Sequence, residues 1–511
     1  MHRPSVPVFS ADATPNLLSP ARRLRRVVLI GSFPPRRCGI ATFTCDVHDA
    51  LKTAAPGLDC QVVAMTDEGG HYAYDRDVMF EVRQNRAADY LEAARRINAV
   101  EPDAVCVQHE FGLFGGPAGE HLMLMLDAVR APVTTTLHTV LTHPDIDQRR
   151  VFDRLIRRSA RIIVMAERGR RILTEVWGVA PEKIVVTPHG APDRPLIDTA
   201  GPKARLGLDG REVMLTFGLL SPGKGLESMI RAMPDIVRAR PDALYVILGA
   251  THPHLVARDG EVYREGLFAL ARDLGVGDHV RFHNQYLDTA QMLDWLAAAD
   301  LYVTPYLNEA QITSGTLSYA VALGKAVIST PYWHAQELLA DDRGVLTPFN
   351  DPDALATAAI TLLADPERLA ALRRRAWEAG RDTLWSRLAD RYLEVFASVR
   401  VSRPPQRAAN AEPRSFAPDA LPRPSLAGVR RMTDAVGILQ HSMFDVPDRN
   451  HGYCVDDNAR ALLLMHRLRA LGLHSAETEA LAETYSAFVH HAWNDGAGRF
   501  RNFMAFDRTW L

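Results

Sequence analysis

This chain of 511 residues has no long hydrophobic run, few cysteines and no excess of either charge. No segment reaches the roughly 18 consecutive apolar residues that a membrane helix needs. Cys38, Cys45, Cys60, Cys106 and Cys454 form an odd set without CxxC spacing. That argues against a zinc site or a disulfide framework and for a reducing, cytoplasmic location. A formal net charge of -2 gives no electrostatic reason to expect nucleic acid as a partner. The basic stretch RRLRRVVLIGSF runs into a Pro-Pro turn with no small-residue cleavage site, so it does not read as a secretory leader. The Arg-rich residues 21–26 leave a peripheral membrane contact open, with a solvated charge cluster as the alternative.

What is present is alternation. Short apolar runs at 27–31, 61–64, 104–107, 133–137, 162–165 and 184–187 are expected strands, with helical patterns between several of them. A second series follows at 213–217, 244–248, 280–282, 301–304 and 326–329. Such alternation predicts an α/β chain with two doubly wound, mostly parallel sheets facing across a cleft. The expected division is a mobile tail over 1–20, a first domain over 21–195 and a second over 196–384. A helix over 385–400 crosses back to the first domain, a Pro/Ala/Arg-rich linker spans 401–424, and a partial helical segment fills 425–511.

Residues able to do chemistry gather where strands end. Residues 305–331, PYLNEAQITSGTLSYAVALGKAVISTP, read as the end of a strand, a polar turn at Ser314-Gly315-Thr316, a helix and another strand. The first N–H groups of such a helix lack internal partners and suit a phosphate; a plain capped crossover is the alternative. Gly39 opens a helix after the turn PPRRCG, a weaker cradle. His138 ends a strand, where it can position or polarise a ligand, or serve structure alone. Lys224 lies in the glycine-rich loop GLLSPGKG and could bring a point charge to phosphate, or be a plain loop lysine. Glu309 and Gln311 could accept sugar hydroxyls, or act as caps. His109 and Glu110 precede FGLFGG and could meet an acceptor, or simply end a strand. Asp456 and Asp457 read better as helix-capping residues than as an acid–base pair.

The ordered motifs PPRRCGIATF, HEFGLFGG, TTLHT, VTPHG, TFGLLSPGKG and NEAQITSGTLSYAVALGKAVISTP resemble family 4 glycosyltransferases, in a mannosyltransferase-like branch. The resemblance covers residues 25–399. It implies the GT-B fold: two Rossmann-like domains, an acceptor side in the first and a nucleotide-sugar site mainly in the second. It also implies transfer with retention and no bound metal or other cofactor. By the resemblance, Gly39, Gly218, Lys224, Gln311, Ser314, Gly315 and Thr316 bind the donor, while His138, Lys224 and Glu309 are catalytic. Two departures stand out. The family's Gly-Arg-Leu loop reads Gly218-Leu219-Leu220, and its paired glutamates fall on Gln311 and Tyr319, with Glu309 able to supply the first after a small loop shift. The expected donor is a nucleotide sugar, with GDP-mannose implied by the branch, and the acceptor a saccharide or a lipid-linked sugar. Rival readings are an inactive nucleotide-sugar-binding protein and a GT-B-like sugar phosphorylase or epimerase. HGYCVDDNARALLL resembles the start of an α/α-toroid, glycosidase-like domain. Oligomeric state leaves no mark in this sequence.

Overall fold

Parallel strands covered on both faces need apolar side chains on both, and the short apolar runs of this chain meet that demand. The computed structural model describes residues 24–400 except 286, and 425–511 except 444 and 445. The expected tail over 1–20 and linker over 401–424 lie outside the described residues.

The first sheet holds β1 (Arg26–Gly31), β2 (Asp59–Thr66), β3 (Val78–Arg83), β4 (Ala104–His109), β5 (Val133–Leu137), β6 (Arg161–Val164) and β7 (Ile184–Val186). Their order is β3-β2-β1-β4-β5-β6-β7, with every neighbour parallel. The second sheet holds β8 (Glu212–Phe217), β9 (Ala243–Leu248), β10 (Val280–His283), β11 (Leu301–Thr304), β12 (Ala326–Ser329) and β13 (Val345–Leu346). Its order is β10-β9-β8-β11-β12-β13, again parallel. In each sheet the order reverses beside the first strand, at β1/β4 and at β8/β11. A doubly wound sheet opens a crevice at that point, beyond the strands' carboxyl ends.

Two strands of these parallel sheets escaped the sequence reading. β3 carries Glu81 and Arg83 on a half-exposed edge, and β13 has two residues. Within the stretch after β7, Ala200–Leu206 forms a short helix closed by Gly207 at φ 64.

The Trp385–Arg400 helix buries Leu388, Tyr392, Val395, Phe396 and Val399 in one core with Val27, Leu29 and Phe43 of the first domain. The Tyr392 hydroxyl meets Thr136 Oγ1 of β5 at 2.8 Å. Burying those side chains is worth on the order of 10 kcal/mol before the cost of ordering them. This helix ties the end of the second domain to the first.

The chain divides into two compact units, with residues 425–511 in the second. Within the second, β-strands Leu439–Met443 and Val446–Cys454 pair antiparallel, and Phe503–Met504 joins the latter. Helices Val455–Ala470 and Ala476–Ala492 follow the hairpin. The expected partial helical segment therefore includes a small sheet as well, and HGYC falls on a strand. Asp456 and Asp457 occupy the first helical turn, where the helix dipole favours them, and Asp456 pairs with Arg460 at 2.8 Å. Among the described residues, no helix is long and apolar enough to cross a membrane.

Candidate functional site

A cavity of about 1100 Å³ lies between the two domains. From the first domain it is lined by Arg36, Arg37, Gly39, Asp46, Glu110, His138, Thr139 and His189. From the second come Gly218, Leu219, Ser221, Lys224, Gly249, Gln311, Thr313, Gly315, Thr316, Tyr319 and Trp333. Apart from Asp46 and Tyr319, which lie within helices, these residues follow strand carboxyl ends or open the next helix, so the crevices of the two sheets merge into one cleft.

On the second domain the wall includes two glycine loops that touch and the start of a helix. Gly218 sits at φ 132 and Gly249 at φ 137, and a Cβ on Gly249 would lie 2.1 Å from the Gly218 carbonyl oxygen. Only glycine allows these two loops to lie so close. The Gly315–Ala322 helix is capped by Ser314, whose side chain accepts from Leu317 N at 3.3 Å. The Ser314 amide donates to His334 Nδ1 at 3.0 Å. Burial holds the His334 pKa down to about 3, so the ring stays neutral and keeps the lone pair that this amide needs. Gly315 and Thr316 then face the cleft at the amino end of the helix. Lys224 stands with its ammonium 3.9 Å from the centre of the Tyr306 ring and makes no ion pair with a described residue. A cation held over a ring face keeps its charge available to an anionic ligand.

The first-domain wall carries ionisable side chains. His138 Nε2 meets Gln108 Oε1 at 3.1 Å, so Nε2 donates and Nδ1 is left as an acceptor. Burial lowers its pKa to about 3. Phe43 packs edge-on against His138 at 4.8 Å and His189 at 4.9 Å. Glu110 accepts from Thr139 Oγ1 at 2.8 Å and from the Phe111 amide at 3.0 Å, and burial raises its pKa. At Gly39 nothing lies within 4 Å of where a Cβ would sit, so a ligand can approach the backbone.

Contacts across the cleft hold the two walls together. Tyr319 donates its hydroxyl to Asp46 Oδ2 at 2.8 Å. Glu337 accepts from the amides of Glu167 and Arg168 at 2.8 and 3.2 Å. Ile312 joins the first domain's core. A Cβ on Gly315 would lie 2.7 Å from His189 Nε2, so glycine there lets the imidazole reach the helix start.

The cleft therefore brings together Gly39, Glu110, His138, Gly218, Lys224, Gln311, Gly315 and Thr316. Three expected residues stand apart. Glu309 is exposed and outside the lining, with its carbonyl accepting from Trp333 N at 3.0 Å. Ser314 is buried and spent on capping. His109 is fully buried among Phe111, Phe114 and Phe152, with neither ring nitrogen bonded and its pKa lowered to about 3 by burial. It points to the core because successive strand residues face opposite sides. Sequence reasoning gave no role to Asp46, His189 or His334, placed Gln108 only within a polar strand end and named Tyr319 only where the family carries glutamate. Their roles depend on contacts between distant segments, which no local pattern encodes.

Residues 38–193 match the family described as Glycosyltransferase Family 4, and residues 202–381 match Glycosyl transferases group 1. Neither match extends into 425–511. Among curated relatives, the D-inositol 3-phosphate glycosyltransferase of Kineococcus radiotolerans is 28% identical over 274 residues, 50% of this chain and 61% of the relative. The GDP-mannose-dependent alpha-(1-6)-phosphatidylinositol monomannoside mannosyltransferase of Mycolicibacterium smegmatis is 31% identical over 209 residues, 39% of this chain and 52% of the relative. The chain thus spans less than two thirds of either relative. Among solved structures, the sucrose-phosphate synthase of Thermosynechococcus elongatus superposes with a TM-score of 0.61 at 18% identity, covering 74% of this chain and 100% of that one. That likeness concerns the fold, two Rossmann-like domains around a cleft.

Proposed function

From a chain that belongs to the family 4 glycosyltransferases, we propose an enzyme that moves a hexose, mannose in the reading we favour, from a nucleotide-diphosphate sugar to a hydroxyl acceptor with retention of configuration. One observation carries this reading: Lys224, the amino end of the Gly315–Ala322 helix, Gly39 and His138 border a single cavity of about 1100 Å³. That volume exceeds the usual range for small ligands, as expected of a site taking donor and acceptor together.

Bond cleavage at the anomeric carbon leaves negative charge on the departing diphosphate. An enzyme gains rate where fixed donors meet charge that develops in the transition state. Lys224 and the N–H groups of Gly315 and Thr316 are suited to that task, and their glycine-built wall needs little rearrangement. Gly39 offers the diphosphate a close backbone approach from the opposite domain. His138, neutral and oriented by Gln108, offers Nδ1 to a hydroxyl of the transferred sugar. The two domains enclose the reacting groups and limit hydrolysis by water.

Mannose and the GDP moiety rest on the branch resemblance and on the name of the Mycolicibacterium relative. That name also supports a lipid-linked acceptor, with a saccharide as the other candidate. The unpaired thiols support a cytoplasmic enzyme. Residues 425–511 enter only through the resemblance of HGYCVDDNARALLL to an α/α-toroid. A second reading, a nucleotide-sugar-binding protein without turnover, draws on Leu219, which puts an apolar side chain where the family carries arginine.

Calorimetry with a panel of nucleotide sugars, followed by transfer assays on Lys224→Ala and His138→Ala, tests these readings. Binding with turnover that both changes depress supports the enzyme. Binding without turnover favours the second reading, and turnover indifferent to both changes removes the site assignment.

A further inference from the structure

Three carboxylates border the cavity, and they are not equivalent. Asp288 is occupied as the cap of the Thr289–Ala298 helix, accepting from Gln291 N at 2.8 Å. Glu110 holds a hydroxyl and an amide, as described above. Among the described residues Asp46 has one hydrogen-bond partner, the Tyr319 hydroxyl reaching from the opposite domain to Oδ2. No described cation forms an ion pair with it. The neighbouring charge is Asp49 on its own helix, and burial with that repulsion lifts the Asp46 pKa to about 6.

A carboxylate has two oxygens and about four acceptor positions. Half-buried, without a cation and with one donor, Asp46 keeps most of that capacity unmet on the wall of a ligand-sized cleft. Leaving such capacity unmet in a partly desolvated place is costly unless a ligand fills it. The position limits which part of a ligand does so. Tyr319 lies four residues after Gly315 on the same helix, a rise of about 6 Å from the amides suited to the diphosphate. A carboxylate would be repelled at the phosphates themselves; one helical turn away, hydroxyl groups are in reach.

We propose that Asp46 accepts a hydrogen bond from a hydroxyl of the bound nucleotide sugar, on its ribose or its hexose, with Tyr319 as the positioning residue that holds the carboxylate across the cleft. The assignment rests on the nucleotide-sugar reading of the cleft. It gives the first domain a direct part in donor recognition.

The test uses the full chain as wild type, Asp46→Asn and Tyr319→Phe. Each is titrated calorimetrically with GDP, UDP, GDP-mannose and UDP-glucose, and donor and acceptor KM and kcat are measured with the donor that binds. Asp46→Asn keeps the shape and can still receive the tyrosine hydroxyl, so the fold and its melting temperature should hold. Donor affinity should fall about tenfold or more, in keeping with a lost hydrogen bond to a charged group. The acceptor KM should stay within about twofold, and Tyr319→Phe should weaken the donor in the same sense but less. A loss already seen with the free nucleotide assigns the ribose; a loss confined to the nucleotide sugar assigns the hexose. Unchanged donor affinity in both variants, or an effect confined to acceptor KM, overturns the assignment while leaving the glycosyltransferase reading intact. A wild-type chain that binds none of the four probes overturns that reading and this assignment together.

Discussion

The two walls of the cleft are made of different materials. The second-domain wall presents two glycine loops, a helix start and the Lys224 ammonium, beside Gln311, Tyr319 and the helix-capping Asp288; the first-domain wall carries Asp46, Glu110, His138 and His189 together with Arg36 and Arg37. Glycine-rich loops and a helix start suit a phosphate, whose charge is large and whose oxygens accept from any N–H. Carboxylates and neutral imidazoles suit hydroxyls, which both donate and accept. A ligand with an anionic half and a polyol half would find each wall matched to one of its ends.

The largest effect should come from removing the ammonium group of the second wall. Lys224→Ala is expected to lower kcat/KM by about 10²–10³-fold, the range for losing one preorganised donor to developing charge. Lys224→Arg should recover part of it, since the charge returns with a different shape. A transfer assay on both variants reads the split; equal activity in all three proteins would detach the wall from the chemistry. Next in size is Gly315→Ala. The new methyl would meet His189 Nε2 at 2.7 Å and should cost about 1–3 kcal/mol of stability. His189→Ala added to it should restore most of the loss, which thermal melts of the single and double variants would measure.

A pH series reads the buried histidines together, since His138 and His189 on the wall are lowered by burial as well, to about 3 and about 4. His109 and His334 are both buried, with pKa values lowered from 6.5 to about 3. Above pH 6.5 neither folded nor unfolded chain protonates them, so their cost is absent. Below it the unfolded chain takes up protons that the folded one refuses, and stability falls as pH drops from about 6.5 towards 3. Asp46 acts in the opposite sense: its raised folded pKa of about 6 adds stability as pH falls from there towards 3.8. The unfolding free energy should therefore decline between pH 6.5 and 5, by up to about 1.4 kcal/mol per pH unit for each buried histidine. His109→Phe should make that decline shallower, because it replaces an unbonded imidazole in a phenylalanine cage. It should also leave transfer intact; loss of acceptor use would return His109 to the site.

Much of this was legible because parallel sheets advertise themselves. Runs such as VVLIG and AVCV are apolar throughout, and residues in the loops that follow such runs, among them Gly39, His138, Lys224 and Gly315, line the cleft. β3 was hidden by its charged, half-exposed edge position. At the end of β4 the chain Gln108-His109-Glu110 must alternate faces, yet both faces of this sheet are buried, so the pattern does not tell which residue meets the cleft. The bond between Asp46 and Tyr319 joins residues 273 apart, and no local periodicity encodes it. The resemblance supplied the motif order but could not show what tyrosine does where the family carries glutamate.

The smallest effect expected is also the one that separates motif from geometry. By the resemblance, Glu309 is a catalytic carboxylate; in the fold it is exposed, and it is its backbone carbonyl, not its side chain, that accepts from Trp333 N. Glu309→Gln leaves the backbone and the loop in place. An exposed change of that kind is usually worth less than about 0.5 kcal/mol in stability. If the cleft geometry describes the working enzyme, kcat/KM should stay within about twofold of wild type, while Gln311→Ala, two residues on and part of the lining, should depress it more. Should Glu309→Gln instead cost tenfold or more in kcat with little change in KM, the 308–313 loop must swing its carboxylate inward during turnover, and the second wall would then bring a carboxylate of its own to the transition state.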